Sequence, residues 1–269
     1  MTNLKVPLKY VGKTAALVPD RFETDTYVLM IDGAEQSHVN PRQPLSIRYE
    51  YLQRIDAAIQ AAFAPGDRLR VLHLGAGALT LVRALQVRYP HSQHTVVDIE
   101  PELIEAMCSA LPLPDATRCH SFSMDAAQAV REVRGAGLPG APDSFDLIIV
   151  DIFHGADTAP QLQVSTFYAD LSAVLAPEGW LMVNIGDEAD QSFARSLTKT
   201  ITSHFPSVAV AAHPDVLAAR SSGNTILAAT NDTEILADFL SLWQQTGPQP
   251  GQVVGPAEIK NYVSGRSAK

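Results

Sequence analysis

The sequence predicts an α/β fold: a doubly wound sheet with helices on both faces, preceded by a small N-terminal β-hairpin domain. Three observations carry that prediction. The runs "RVLHLG", "HTVVDI" and "FDLIIVD" are continuously apolar, as parallel strands covered on both faces are. Segments of helical apolar spacing separate them in regular order, so right-handed crossovers return each strand to the sheet. Ahead of them, "KTAALVP" and "TYVLMI" are β-rich, and Asp32-Gly33 punctuates two short strands as a hairpin turn does.

Residues 1–44 form the β-domain, 45–245 the α/β domain and 246–269 a Gly- and Pro-rich tail expected to be loosely held. In "PLSIRYEYLQRIDAAIQAAFAPGD" the residues Leu45, Tyr49, Leu52, Ile55, Ala58 and Ile59 share one helical face, and Pro65-Gly66 ends the helix. Strand "RLRVLHLG", helix "ALTLVRALQVRYP" and strand "QHTVVDI" follow. Pro101 opens the helix "PELIEAMCSAL" in its first turn. Next come strand "TRCHSFS", helix "DAAQAVREVRGAG" and strand "FDLIIVD". The helix "STFYADLSAVLAPEG" takes Ser165 as its N-cap, followed by strand "WLMVNIG" and helix "DQSFARSLTKTITSHF". Strands "SVAVAAH" and "NTILAAT" and the helix "TEILADFLSLWQQ" complete the core.

Composition narrows the function classes. The chain has 269 residues, 46% of them hydrophobic and 18% charged, which is enough for a large core. No apolar run reaches the roughly 18 residues of a membrane span, and the N-terminus "MTNLKVPLKYVGKT" has no apolar signal region. Twenty basic against 29 acidic residues give −9, which argues against a nucleic-acid partner and is compatible with a cationic small substrate. Cys108 and Cys119 form no CxxC, so neither a structural zinc site nor a disulfide framework is expected. The expected compartment is the cytoplasm.

In such sheets ligands bind beyond the carboxyl ends of the strands, near the point where strand order reverses. The sequence places four features there. Gly75 and Gly77 in "HLGAGALT" let a ligand approach the backbone at a helix N-terminus, although tight turns also need glycine for steric reasons. The third glycine of the dinucleotide fingerprint is absent, which favours a nucleoside without pyrophosphate. Asp98, a little over twenty residues on, suits both hydroxyls of a ribose, while nearby Glu100 is assigned to capping the next helix. Asp125 suits a helix cap, an adenine amino group, or both. Asp151 ends the most apolar strand, where an unpaired structural acid would be costly.

With these residues in place the chain resembles the spermidine synthase (polyamine aminopropyltransferase) family, and within it a divergent spermidine synthase-like bacterial branch. The likeness runs through "MIDGAEQS", Tyr49, "VLHLGAGALTLVR", "VVDIEPELIE", Asp125, "FDLIIVD", "TFYADLSAVLAPEGWLMVNI" and "SSGNTILAAT". It implies a Rossmann-like domain of the S-adenosylmethionine-dependent methyltransferase type behind the β-domain, usually in a homodimer. The co-substrate would be decarboxylated S-adenosylmethionine, with no metal, and the acceptor a polyamine such as putrescine. Carried over, Asp98 would hold the ribose and Asp125 the adenine amino group. Gln36 and Tyr49 would line the active site, and Asp151 would face the acceptor amine.

The chain also departs from the family. Ala78 stands where the family has an acid that anchors the donor's amine, His154 stands where the second acid of D-x-x-D removes the acceptor's proton, and Glu50-Tyr51 replaces His-Glu. Displacement at a sulfonium has a good leaving group, so the protein mainly aligns the partners and deprotonates the amine. His154, with an ordinary pKa near 6.5, suits that task, its ring oriented by Asp151 or Asp157. His73 inside "VLHLG" reads as a satisfied histidine of the sheet or as part of an altered donor pocket. The departures leave two alternatives: an S-adenosylmethionine-dependent methyltransferase of unknown acceptor, and a non-catalytic nucleoside-binding homologue.

Overall fold

The computed structural model describes residues 4–154, 157–158, 160–233 and 237–265, with side chains except at 153–154, 157–158 and 160–161. It opens with four antiparallel strands, β1 (Leu4–Leu8), β2 (Lys13–Pro19), β3 (Tyr27–Ile31) and β4 (Ala34–Val39), paired in that order. Asp32 and Gly33 both take positive φ, 47° and 83°, which closes the β3–β4 hairpin in the primed turn geometry. The inward face carries Val6, Leu8, Ala15, Leu17 and Leu29, packed against Ala78, Leu79, Val82, Leu103 and Met107 of the following domain.

The second unit runs α1 (Glu50–Ala62), β5 (Arg70–Leu74), α2 (Thr80–Arg88), β6 (Gln93–Asp98), α3 (Pro101–Ala110), β7 (Arg118–Ser123), α4 (Ala126–Arg134) and β8 (Phe145–Val150). A two-residue pair, β9 (Phe153–His154) and β10 (Asp157–Thr158), leads through a 3-10 turn into α5 (Ser165–Val174) and β11 (Leu175–Asp187). Then come α6 (Ser192–Ile201), β12 (Ser207–Ala212), α7 (Pro214–Leu217), β13 (Gly223–Thr230), α8 (Ala237–Thr246), β14 (Gln252–Val254) and α9 (Ile259–Val263).

Eight strands form one sheet in the order β14-β12-β13-β11-β8-β5-β6-β7. The pairs β8–β11, β5–β8, β5–β6 and β6–β7 are parallel. The chain proceeds from β5 outward through β6 and β7, then returns to β8 and β11 on the other side, so order reverses between β5 and β8. Burial explains the apolar runs: Ile148 and Val150 of β8 join the core on one face of the sheet, while Leu147 and Ile149 join the core on the other.

Four local expectations are corrected. The sheet is mixed, because β13 enters antiparallel between β11 and β12, and β14 is antiparallel to β12. The first helix starts at Glu50; Leu45 is exposed and Tyr49 is the extended N-cap residue, so their spacing matched a helix they do not join. Ser165 is the first helical residue rather than the cap, and its Oγ contacts His204 Nε2 at 2.7 Å. The tail is built into the fold through residue 265: β14 extends the sheet, and Val254, Ile259 and Tyr262 are buried.

Candidate active site at the sheet's switch point

A cavity of about 340 Å³ lies over the carboxyl ends of β5, β6, β7 and β8, roofed by the inward face of the N-terminal sheet. Its lining includes Gln36, Gly75, Gly77, Asp98, Asp125 and Asp151, six of the nine sequence-predicted site residues. They follow the sheet order. Asp125 comes after β7, Asp98 ends β6, Gly75 follows β5 and Asp151 follows β8. Neighbouring strands are about 4.8 Å apart, so Asp98 and Asp151 are separated by roughly 10 Å along the sheet edge.

The glycines are required by the chain itself. Gly75 has φ 102°, and a Cβ there would stand 2.1 Å from the Asp151 carbonyl oxygen. Gly77 has φ 50°, and its Cβ would meet Ser37 Oγ at 2.6 Å. These contacts bring β5 against β8 and the β4 strand down onto the turn, and the same bareness leaves the backbone open to the cavity.

Asp98 accepts from the Ala76 N–H through Oδ2 and from the Glu100 N–H through Oδ1, both at 2.9 Å. Burial raises its pKa, while those backbone bonds oppose the shift. Two lone pairs per oxygen leave accepting capacity for a vicinal diol. Asp125 caps α4 by accepting from the Gln128 N–H at 3.0 Å, and the same residue borders the cavity.

Asp151 is held by side chains. Asn184 Nδ2 donates to its Oδ1 at 2.8 Å, and the Tyr51 hydroxyl is a second hydrogen-bond partner. Desolvation raises the Asp151 pKa to about 6, against the pull of both bonds. The Tyr51 hydroxyl is pushed well above its ordinary value by burial and by the Asp151 charge.

Several expectations meet a different geometry. Tyr49 is not among the lining residues; its hydroxyl donates to Glu35 Oε2 at 2.9 Å, and its ring stacks on Tyr51, which does line the cavity. Helix α1 begins one residue after Tyr49, and that turns Tyr51 inward. Glu100 makes no side-chain cap of α3: its carboxylate accepts from the N–H groups of Lys9, Tyr10 and Val11, each at 2.7 Å, and ties the β1–β2 turn to the second domain. His73 is buried in the sheet, its Nε2 3.1 Å from His94 Nδ1, and is not a lining residue. Ala78 packs in the apolar interface with the N-terminal sheet. His154 and Asp157 are cross-strand partners in β9 and β10, and their side chains lie outside the described residues.

Sequence reasoning missed Lys13, Tyr51 and Asn184. Strand alternation could have found Lys13, which shares the inward side of β2 with Ala15 and Leu17. The other charged lining residues are acids (Asp32, Asp98, Glu100, Asp125 and Asp151), so the cavity favours a cationic ligand. Among the described residues no group of three or more His, Cys, Asp or Glu could hold a metal ion.

Comparisons with known proteins bear on the fold and its relatives. No family model matches the chain. A polyamine aminopropyltransferase of Chromobacterium violaceum is 27% identical over 153 residues, covering 56% of each chain. The chain therefore spans about half the length of that relative. A probable spermidine synthase from Corynebacterium glutamicum superposes with a TM-score of 0.86 and 28% identity, covering 100% of this chain and 96% of that one. Two more distant structures share the fold. A spermidine synthase in complex with the transition state analogue AdoDATO has a TM-score of 0.64, 14% identity and coverage of 97% and 86%. Human methyltransferase-like protein 13 in complex with SAH has a TM-score of 0.59, 18% identity and coverage of 82% and 96%. The full-length match to a probable spermidine synthase and the partial match to a polyamine aminopropyltransferase make the chain spermidine synthase-like in sequence and fold.

Proposed function

We propose that this protein is an aminopropyltransferase that moves an aminopropyl group from decarboxylated S-adenosylmethionine to a polyamine such as putrescine. One observation carries the reading. Along the sheet edge, a ribose-type acid, a bare glycine turn and a desolvated acid stand in sequence, so a nucleoside at Asp98 would direct its sulfonium past Gly75 toward Asp151. The relatives' names point to the same chemistry.

Each residue then has a task. Asp98 accepts both ribose hydroxyls, Asp125 accepts from the adenine amino group, and Gln36 contacts the donor from the roof. The sulfonium supplies an activated carbon with a thioether leaving group. Asp151, steadied by Tyr51, faces the acceptor and takes the proton that an ammonium must lose before it can attack. His154 is a second group for that proton, with Asp157 across the β9–β10 pair as its orienting acid. A His154→Ala variant with wild-type turnover assigns the proton to Asp151 alone. The reading includes a homodimer, which sedimentation equilibrium tests.

The test is turnover of decarboxylated S-adenosylmethionine with a panel of diamines, followed as methylthioadenosine release. Release that requires both substrates is expected. A methyl transfer reading draws on Ala78, which puts no acid on the donor's tail; methylation by S-adenosylmethionine with no aminopropyl transfer would select it.

A further inference from the structure

A carboxylate at the end of a buried strand has to be held by donors, because an uncompensated buried charge is expensive. At Asp151 the donors are Tyr51 from α1 and Asn184 from β11. Asn184 is 2% exposed, and its Nδ2 reaches Asp151 Oδ1 at 2.8 Å. The other end of the same amide is occupied: Asn184 Oδ1 accepts from Asn224 Nδ2, on β13, at 2.9 Å. A carboxamide has one accepting end and one donating end. With the accepting end taken by Asn224, Asn184 presents only N–H to Asp151. That contact supports the carboxylate ion and offers no acceptor to a proton on Oδ1.

Resting on the transferase reading above, we infer that Asn224 and Asn184 form a positioning chain for Asp151, which engages Oδ1 and, together with Tyr51, fixes the carboxyl that takes the acceptor's proton. The step balances. The ammonium gives a proton to the Asp151 carboxylate, the freed nitrogen lone pair forms the new C–N bond, and the C–S bond breaks with its electrons leaving on the thioether. Neither asparagine touches the reacting atoms.

This positioning chain shares the carboxyl with the Tyr51 hydroxyl. The Gly75 backbone packs against the Asp151 main-chain carbonyl, and Asp98 and Asp125 lie one after the other along the sheet edge. Lys13 and Asp32 come from the roof. The Asp151 shift arises from burial, opposed by the bonds from Asn184 and Tyr51.

The experiment is carbon NMR titration of protein labelled at the aspartate carboxyls, without substrate, with the Asp151 signal assigned by its loss in Asp151→Asn. The wild-type midpoint is expected near 6. Asn184→Leu fills the same space without a donor and should raise the midpoint by about one unit, because a bond to the charged form is lost. Asn224→Ala, at the half-buried end, should raise it by a smaller amount and covers the case in which Asn184→Leu does not fold. An unchanged or lowered midpoint in either variant overturns the inference. Because no substrate is present, failure of every diamine to accept an aminopropyl group would overturn the proposed function and leave these midpoints standing.

Discussion

Asp98 and Asp151 are both desolvated acids, but their partners differ, and so do the consequences of losing them. Asp98 is fixed by backbone N–H groups of its own loop and of the glycine turn, so removing its carboxyl leaves the Ala76 and Glu100 N–H groups without that acceptor. Asp98→Ala should weaken methylthioadenosine binding about 100-fold, the size of two hydrogen bonds to a charged acceptor. Calorimetry checks this, and normal binding would move the ribose elsewhere. Asp151 has the opposite character, since burial makes its ion costly. Its folded pKa, raised to about 6, exceeds the unfolded value of 3.8, so its contribution is fully present below 3.8 and is lost as the pH rises through 6. Asp151→Asn should therefore gain on the order of 2 kcal/mol relative to wild type between pH 4 and pH 7, read from urea unfolding at the two values. At this scale the sequence was legible where a residue sits at a strand's carboxyl end. Asp98, Asp125, Asp151 and the two glycines are fixed there by the βα alternation alone. Tyr51 and Asn184 were not legible, because their roles depend on where α1 starts and on which strand becomes the neighbour of β8.

Between β5 and β6 the His73–His94 pair is sealed from water, and His94 Nε2 has no hydrogen-bond partner among the described residues. Desolvation lowers the His94 pKa to about 4, and His73 is lowered well below its ordinary value by burial and by the neighbouring ring. With a folded value below the unfolded 6.5, His94 contributes stability that is present above 6.5 and lost as the pH falls toward 4. His94→Leu should flatten that acid limb by about 3 kcal/mol in unfolding titrations. In the wild type this trend runs against that of Asp151 over the same interval, so only the variants separate them. Glu100 joins the N-terminal sheet to α3 by accepting three N–H bonds. Glu100→Ala should increase hydrogen exchange at Lys9, Tyr10 and Val11 by about 100-fold while leaving β5–β8 protected. The element pattern explains what was readable. Apolar strands and amphipathic helices declare themselves, and Asp32-Gly33 declares its hairpin. The short strand "QVV" of β14 lies in a Pro- and Gly-rich stretch and gains its pairing only from the exposed edge of β12, which local sequence does not encode.

Across the whole molecule, two units share one site. The α/β domain supplies the acids and the glycine turn, and the N-terminal sheet supplies the roof with Gln36 and Lys13. No helix among the described residues is long and apolar enough to cross a membrane. The resemblance was legible because its motifs keep their order along the chain, whereas the donor was not, since a buried alanine, Ala78, stands where the resemblance implies an acid. Donor identity is therefore the point on which the account turns. Calorimetric titration of the protein with methylthioadenosine and, separately, with S-adenosylhomocysteine tests it without assuming an acceptor. The account predicts tighter binding of methylthioadenosine, the product of aminopropyl transfer. Tighter binding of S-adenosylhomocysteine, or binding of neither, would contradict it.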